Sequence, residues 1–360
     1  MKKYYYSMLA ASMMLAATSC SQEEDFVQNS SSEMASFEIN LEGASSSRAA
    51  GDGLTATQLY YEVYQGTKKV LDNFGDDANR PMVTLNDGKA TIDMPLLRGE
   101  KYNIMFWAQA STGSIYNPDD LKNITVTYDG AKANNEAYDA FFYGEADFKV
   151  VDNVTKIELR RPFAQLNIGT TESDWNQAIA MIDGTNKPVT YSTVTVTGLA
   201  TAFNVLEGEA SGSTDVTFEK ADLLKNKQGE FAQTFQAKDA STYYSLAMNY
   251  LLVPGKATSK SAGEVKSTTN IQATFWRGEQ ELFSYENIVN VPIQRNWRTN
   301  ILGDLLADNK TFEIEVVPGF VNDYEKTLAT ASNSEELETL LKQDAEYIVI
   351  DLAKVEGRAA

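Results

Sequence analysis

The sequence predicts an all-β protein: two tandem β-sandwich domains with few short helices. Three observations lead there. Short runs that alternate apolar and polar side chains recur along most of the chain, as half-buried strands do. Gly, Asn and Asp residues punctuate these runs at short intervals, the spacing of an antiparallel β fold. Helical spacing is confined to the neighbourhoods of 174–183 and 332–341, too little for the strand–helix alternation of an α/β enzyme core.

The N-terminus is a targeting segment. Lys2 and Lys3 precede a largely apolar stretch, Tyr4 to Ala17, followed by the small residues Thr18 and Ser19. This is the pattern of a secretory signal peptide, 1–19, and the stretch is too short to span a bilayer comfortably. Ala17-Thr18-Ser19-Cys20 resembles a bacterial lipobox, in which the cysteine becomes the first mature residue and carries lipid. Cys20 is the only cysteine in the chain, and lipid there means anchoring rather than spanning. The following Ser21-Gln22-Glu23-Glu24-Asp25 resembles the acidic export signal of surface-displayed lipoproteins in the Bacteroidota. Residues 20–34 form a polar, Ser-rich linker.

The first domain is expected over 35–168. In ASFEINL (35–41), Phe37, Ile39 and Leu41 alternate with polar residues, giving a first strand. Residues 43–53, rich in small and polar residues, form a loop around Arg48. Residues 57–66 alternate as a strand, and 82–94 reads as two strands joined at Asn86-Asp87-Gly88. YNIMFWAQA (102–110) is continuously apolar, the mark of a central strand. Strands at 124–130, 140–150 and 155–169 complete the set. The second domain, 169–324, opens with a helix near 174–183, where Trp175, Ile179 and Ile182 share a face. Strands follow at 189–198, 214–220, 243–254, 270–293 and 311–320, while 301–310 shows no clear period. In the extension 325–360, Ser332 and Glu335 form a capping box. Ile348, Ile350 and Leu352 then lie on one last apolar strand.

Composition narrows the chemistry. The net charge is −19, without the basic footprint that nucleic-acid binding requires. There is no histidine, so His/Cys zinc sites and Ser-His or Cys-His nucleophile pairs are excluded. The acidic loops at 73–77 and 117–120 lack the spacing of a calcium loop. There is no P-loop or dinucleotide fingerprint. No cofactor, metal ligand or catalytic residue is expected, and an enzyme is the weakest reading.

In order, these features resemble the fimbrillin family of Bacteroidota, the subunits of type V pili. The segments carrying the resemblance are Arg161-Pro162-Phe163-Ala164-Gln165-Leu166, Ala202-Phe203-Asn204 before Gly208, and Arg295-Asn296 followed by a strand. The resemblance spans roughly residues 1–324 and implies transthyretin-like, Greek-key sandwiches. It also implies a surface lipoprotein precursor whose first strand is cut away by a trypsin-like protease. The strand holding Phe37, Ile39 and Leu41 is then replaced by a strand from a neighbouring subunit. The cut is expected between Arg48 and Ala49, since Arg48 is the only Lys or Arg between Lys3 and Lys68. The implied partners are other pilin subunits, the outer membrane through Cys20 before maturation, the protease, and a host or bacterial glycan or protein ligand. The strand at Ile348, Ile350 and Leu352 is the candidate donor, and the same segment also reads as the opening of a further domain. A second reading is a surface lipoprotein serving as fimbrial anchor, tip adhesin or glycan-binding module, with Tyr60 and Tyr64 opposite the apolar stripe of their strand.

Overall fold

The structure, a computed structural model, describes residues 34–44, 51–74, 82–182, 184–307 and 311–319. Within them the protein is all-β, with one α-helix and two short 3-10 turns. The strands run Ala35–Leu41 (β1), Gln58–Gln65 (β2), Lys68–Asp72 (β3), Val83–Thr84 (β4), Lys89–Met94 (β5), Lys101–Gln109 (β6), Tyr116–Asn117 (β7), Ile124–Val126 (β8), Ala140–Lys149 (β9) and Val154–Leu159 (β10). Next come Phe163–Thr170 (β11), the helix Glu172–Ala178 (α1), Ala180–Ile182 (β12), Thr185–Lys187 (β13), Tyr191–Leu199 (β14), Ala202–Asn204 (β15), Glu209–Ser211 (β16) and Thr214–Asp222 (β17). Thr234–Gln236 (β18), Thr242–Leu252 (β19), Gly255–Lys256 (β20), Lys266–Arg277 (β21), Gln280–Gln294 (β22), Trp297–Asp304 (β23) and Thr311–Pro318 (β24) complete the described chain.

Two sheets, β10-β1-β5 and β3-β2-β6-β9, enclose the first core. Phe37, Ile39, Leu41, Ile92 and Ile157 meet Leu59, Val63, Ile104, Phe106 and Phe141 there. β6 is central, between β2 and β9, as its apolar run predicts. Its even residues Ile104 and Phe106 enter this core while Met105 and Trp107 enter the next one, so both faces are covered. The second core draws on β18-β19-β11-β23-β24 and β17-β14-β21-β22. A fifth sheet, β20-β16-β15-β8-β7, takes two strands from the first half of the chain and three from the second. Phe203 on β15 packs against Phe142 (ring centroids 4.8 Å) and Trp107 (5.8 Å), so the second core is continuous with the outer face of the first sandwich.

Several boundaries differ from expectation for identifiable reasons. The expected strand 155–169 is two strands. β10 pairs with β1, whereas β11 pairs with β19 and β23. The chain changes sheets at Arg160-Arg161-Pro162, where Pro162 has no N–H to continue a ladder. The expected domain boundary at 168/169 therefore cuts through β11, which is a central strand of the second half. The turn at Asp87 (φ 48°) and Gly88 (φ 71°) forms as predicted. Its two arms join different sheets, however, since β4 pairs with β2 and β5 with β1. The helix spans 172–178 rather than 174–183, because Thr171 is its cap and accepts a bond from the Asp174 N–H (3.2 Å). The stretch with no clear period contains the end of β23, where Ile301 and Leu302 are both buried on opposite faces.

Candidate functional site

The site is the seat of β1 and the junction beneath it. β1 is the middle strand of its sheet, parallel to β10 and antiparallel to β5, with Ser36–Leu41 in register against Val154–Leu159. Phe37, Ile39 and Leu41 are 0%, 1% and 5% exposed. The Phe37 ring lies 6.0 Å from the rings of both Phe106 and Phe148. Burying the three side chains contributes ~5–8 kcal/mol, at ~1.5–3 kcal/mol each. Removing β1 would uncover an apolar trough and leave facing edges of β10 and β5 without partners, a surface prone to take another strand.

The C-terminal end of β1 is tied to the junction between the two halves. The Glu42 N–H donates to the Leu159 carbonyl (2.9 Å). The Glu42 carboxylate accepts from Asn296 Nδ2 (2.7 Å) and lies 3.5 Å from Arg160 Nε. Buried Arg161 donates through Nε and Nη2 to both oxygens of Asp139, each at 2.8 Å. The same guanidinium donates to the Glu42 carbonyl (3.3 Å) and the Gly51 carbonyl (2.7 Å), and it lies 4.2 Å above the Phe141 ring. Arg161 thus grips the chain on both sides of 45–50. Gly51 and Gly53 have positive φ there, and a Cβ on Gly51 would sit 2.7 Å from Gln165 Nε2.

Carboxylates crowd this junction. Burial pushes Glu42, Asp52, Glu136 and Asp139 above their ordinary values, with the arginines opposing it at Glu42, Asp52 and Asp139. The second quoted motif carries a different arrangement. Arg295, wholly buried, donates to the carbonyls of Val253 (2.8 and 3.1 Å), Gly208 (2.8 Å) and Gly255 (2.6 Å). Desolvation pushes its pKa down to about 10. Asn296, at φ 59°, turns the chain into β23.

The structure brings Phe37, Ile39 and Leu41 together as predicted. Cys20, Arg48, Ala49, Ile348, Ile350 and Leu352 lie outside the described residues. Tyr60 and Tyr64 do not form an open aromatic platform. Tyr60 stacks on Phe74 (5.7 Å), and Lys122 Nζ sits 3.4 Å above the Tyr64 ring. Both rings pack against the second core. Glu42, Gly51 and Asp139 escaped the sequence reading; Arg161 and Asn296 were visible only as members of motifs. Among the described residues no cluster suits a metal ion, and no helix is long and apolar enough to cross a membrane.

The chain is similar to a "putative cell adhesion protein" from Bacteroides ovatus ATCC 8483, with 11% identity, a TM-score of 0.41, and coverage of 81% of this chain and 99% of that one. It is also similar to the C-terminally truncated tip fimbrial protein Mfa3 from Porphyromonas gingivalis, with 10% identity, a TM-score of 0.37, and coverage of 79% and 99% respectively. No curated protein matches the sequence. A family model described as a family of unknown function (DUF6562) matches residues 28–349, nearly the whole length, and the chain belongs to that family.

Proposed function

We propose that this protein is a structural subunit of a type V-like surface fimbria that serves adhesion, and that it assembles by protease-activated donor-strand exchange. One observation carries the reading: β1 is the middle strand of its sheet, holds three buried apolar side chains, and precedes the segment containing Arg48. A cut after Arg48 would leave β1 attached only through non-covalent contacts. Its loss would expose the trough between β10 and β5, which a strand from another subunit can fill by adding to both edges. Lipid on Cys20 holds the precursor at the outer membrane, and a trypsin-like surface protease makes the cut. The lone arginine in the stretch makes that cut unambiguous.

The N-terminus of the protein recovered from its own cells tests this reading by mass spectrometry. An N-terminus at Ala49 is expected in the assembled form. An acylated Cys20 with an intact Arg48–Ala49 bond in all of the protein would overturn it.

A further inference from the structure

One end of the first sandwich is closed by loops. β1, β6 and β10 begin there, while β2, β5 and β9 end there. Met34, Leu97, Val151 and Val154 stand on this tip and are 48%, 62%, 63% and 47% exposed. Only two other large apolar side chains are exposed among the described residues, Val289 and Phe312, and both belong to the second half. The other end of β1 is held by Arg161 and Asn296, so the tip points away from the junction. An apolar patch that the fold gathers at one end and leaves in water marks a contact surface.

We propose that this tip is a membrane-contact surface. While Cys20 carries lipid, Leu97 and Val151, flanked by Met34 and Val154, enter the interfacial layer of the bilayer that holds that lipid. The proposal rests on lipidation of Cys20, a part of the reading above, and adds to it a second hold and a fixed orientation for the folded body. The sequence names the occupant. Residues 20–33 join the lipid to the body, and they enter it at Met34, within the patch itself. Fully extended, those fourteen residues span at most about 50 Å, so the tether delivers this tip to the lipid surface before any other part of the body. Tethering also turns the contact into an intramolecular event, in which a patch too small to bind alone is effective.

The backbone of the tip is prepared to leave water. The Leu97 N–H donates to the Tyr102 hydroxyl (3.1 Å) and the Leu96 N–H to the Met94 carbonyl (2.8 Å). The Gly99 N–H donates to the Val150 carbonyl (2.9 Å) and the Ser36 N–H to the Asn153 carbonyl (3.0 Å). Donors already paired within the protein lose no water bond on entering lipid. Charge is balanced at the tip although the chain carries −19. Lys101 pairs with Asp147 (3.8 Å). Lys68, Arg98 and Lys149 are offset by Asp93, Glu100 and Asp152. Anionic headgroups therefore repel this end less than the rest of the surface. A few apolar side chains hold a membrane only weakly, so a cut after Arg48, which separates the lipid and Met34 from the body, would also free the tip.

Fluorescence quenching on vesicles tests the contact. The chain from Cys20 onward is coupled through its single thiol to a maleimide lipid in phosphatidylcholine–phosphatidylglycerol vesicles, prepared with or without brominated acyl chains. Leu97→Trp reports from the tip, and Val289→Trp, on β22 and 50% exposed, reports from elsewhere. Brominated lipid should quench Leu97→Trp and leave Val289→Trp unchanged. Adding Val151→Asp should weaken the membrane-bound fraction on the order of tenfold or more, because a buried apolar side chain is exchanged for a charge. If Leu97→Trp lowers the melting temperature, Val151→Trp, with Leu97→Asp as its partner change, takes its place. No quenching at either tip position, or equal quenching at the tip and at Val289→Trp, would overturn the proposal. Reversible dimers in sedimentation, abolished by Val151→Asp and accompanied by an unquenched tip, would give the patch to a second copy and overturn it too. The lipid reading is judged separately, on protein from its own cells. An unacylated Cys20 throughout would remove the tether and overturn both, whereas an acylated Cys20 with an unquenched tip would overturn the membrane contact alone.

Discussion

Arg161 and Arg295 are both buried arginines at the start of a second-half strand, yet their surroundings make them respond differently to the same substitution. Arg161 faces a carboxylate. Arg161→Met leaves Asp139 buried without its ion-pair partner and frees the carbonyls of Glu42 and Gly51. Breaking such a pair from one side costs about 3–5 kcal/mol. Arg295 faces neutral carbonyls, and Arg295→Met leaves dipoles rather than a charge unsatisfied. Each unsatisfied group costs about 1–3 kcal/mol, tempered by relaxation and water. Denaturant unfolding of the two variants checks both values. Limited proteolysis adds a local readout: cleavage within 45–50 should accelerate in Arg161→Met and stay unchanged in Arg295→Met, because only Arg161 grips both flanks of that segment.

At the scale of elements, β1 is more deeply integrated than a terminal strand usually is. It has a partner on each side and reaches Phe106 and Phe148 through one ring. Phe37→Ala should destabilise the uncut protein by about 3–5 kcal/mol, since the cavity lies between two sheets that cannot easily collapse. Thermal unfolding measures it, and an effect below about 1 kcal/mol would mean that the seat holds β1 through backbone pairing alone. β9 and the β15–β16 turn meet with almost no clearance: a Cβ on Gly144 would stand 2.0 Å from the Val205 carbonyl oxygen. Gly144→Ala should therefore cost about 1–3 kcal/mol through forced backbone shifts, read in the same melt. The motif Ala202-Phe203-Asn204 before Gly208 matters for this reason, because it wedges the small joining sheet against the first sandwich.

For the whole molecule, charge and burial combine at the junction. Burial raises the folded values of Glu42, Asp52, Glu136 and Asp139 above the ordinary carboxylate values of 4.5 for Glu and 3.8 for Asp. The folded state therefore binds their protons more tightly than the unfolded state does. This contribution to stability is fully present below the ordinary values and is lost as pH rises through the raised folded values. The net charge of −19 acts in the same direction through self-repulsion. The melting temperature should rise as pH is lowered towards the ordinary carboxylate values, and Asp52→Asn should flatten that slope. A melting temperature that falls over the same interval would show that the arginine contacts, not desolvation, govern these groups.

The alternation in ASFEINL and TFEIEVVP was enough to identify both strands, because a period of two depends only on which face is buried. The Asn86-Asp87-Gly88 turn was equally local, since positive φ at Asp87 and Gly88 is a property of those residues themselves. Histidine-free composition likewise limited the available chemistry without reference to any fold. Partnership was not local. The sequence could not show that β4 and β5 leave one turn for different sheets, or that β11 joins β19 and β23. Nor could it show that Arg161 reaches back across 119 residues to the Glu42 carbonyl. Those choices are made by long-range packing and by the geometry of two arginine forks, whose partners lie close only after the strands that carry them have packed around the two cores.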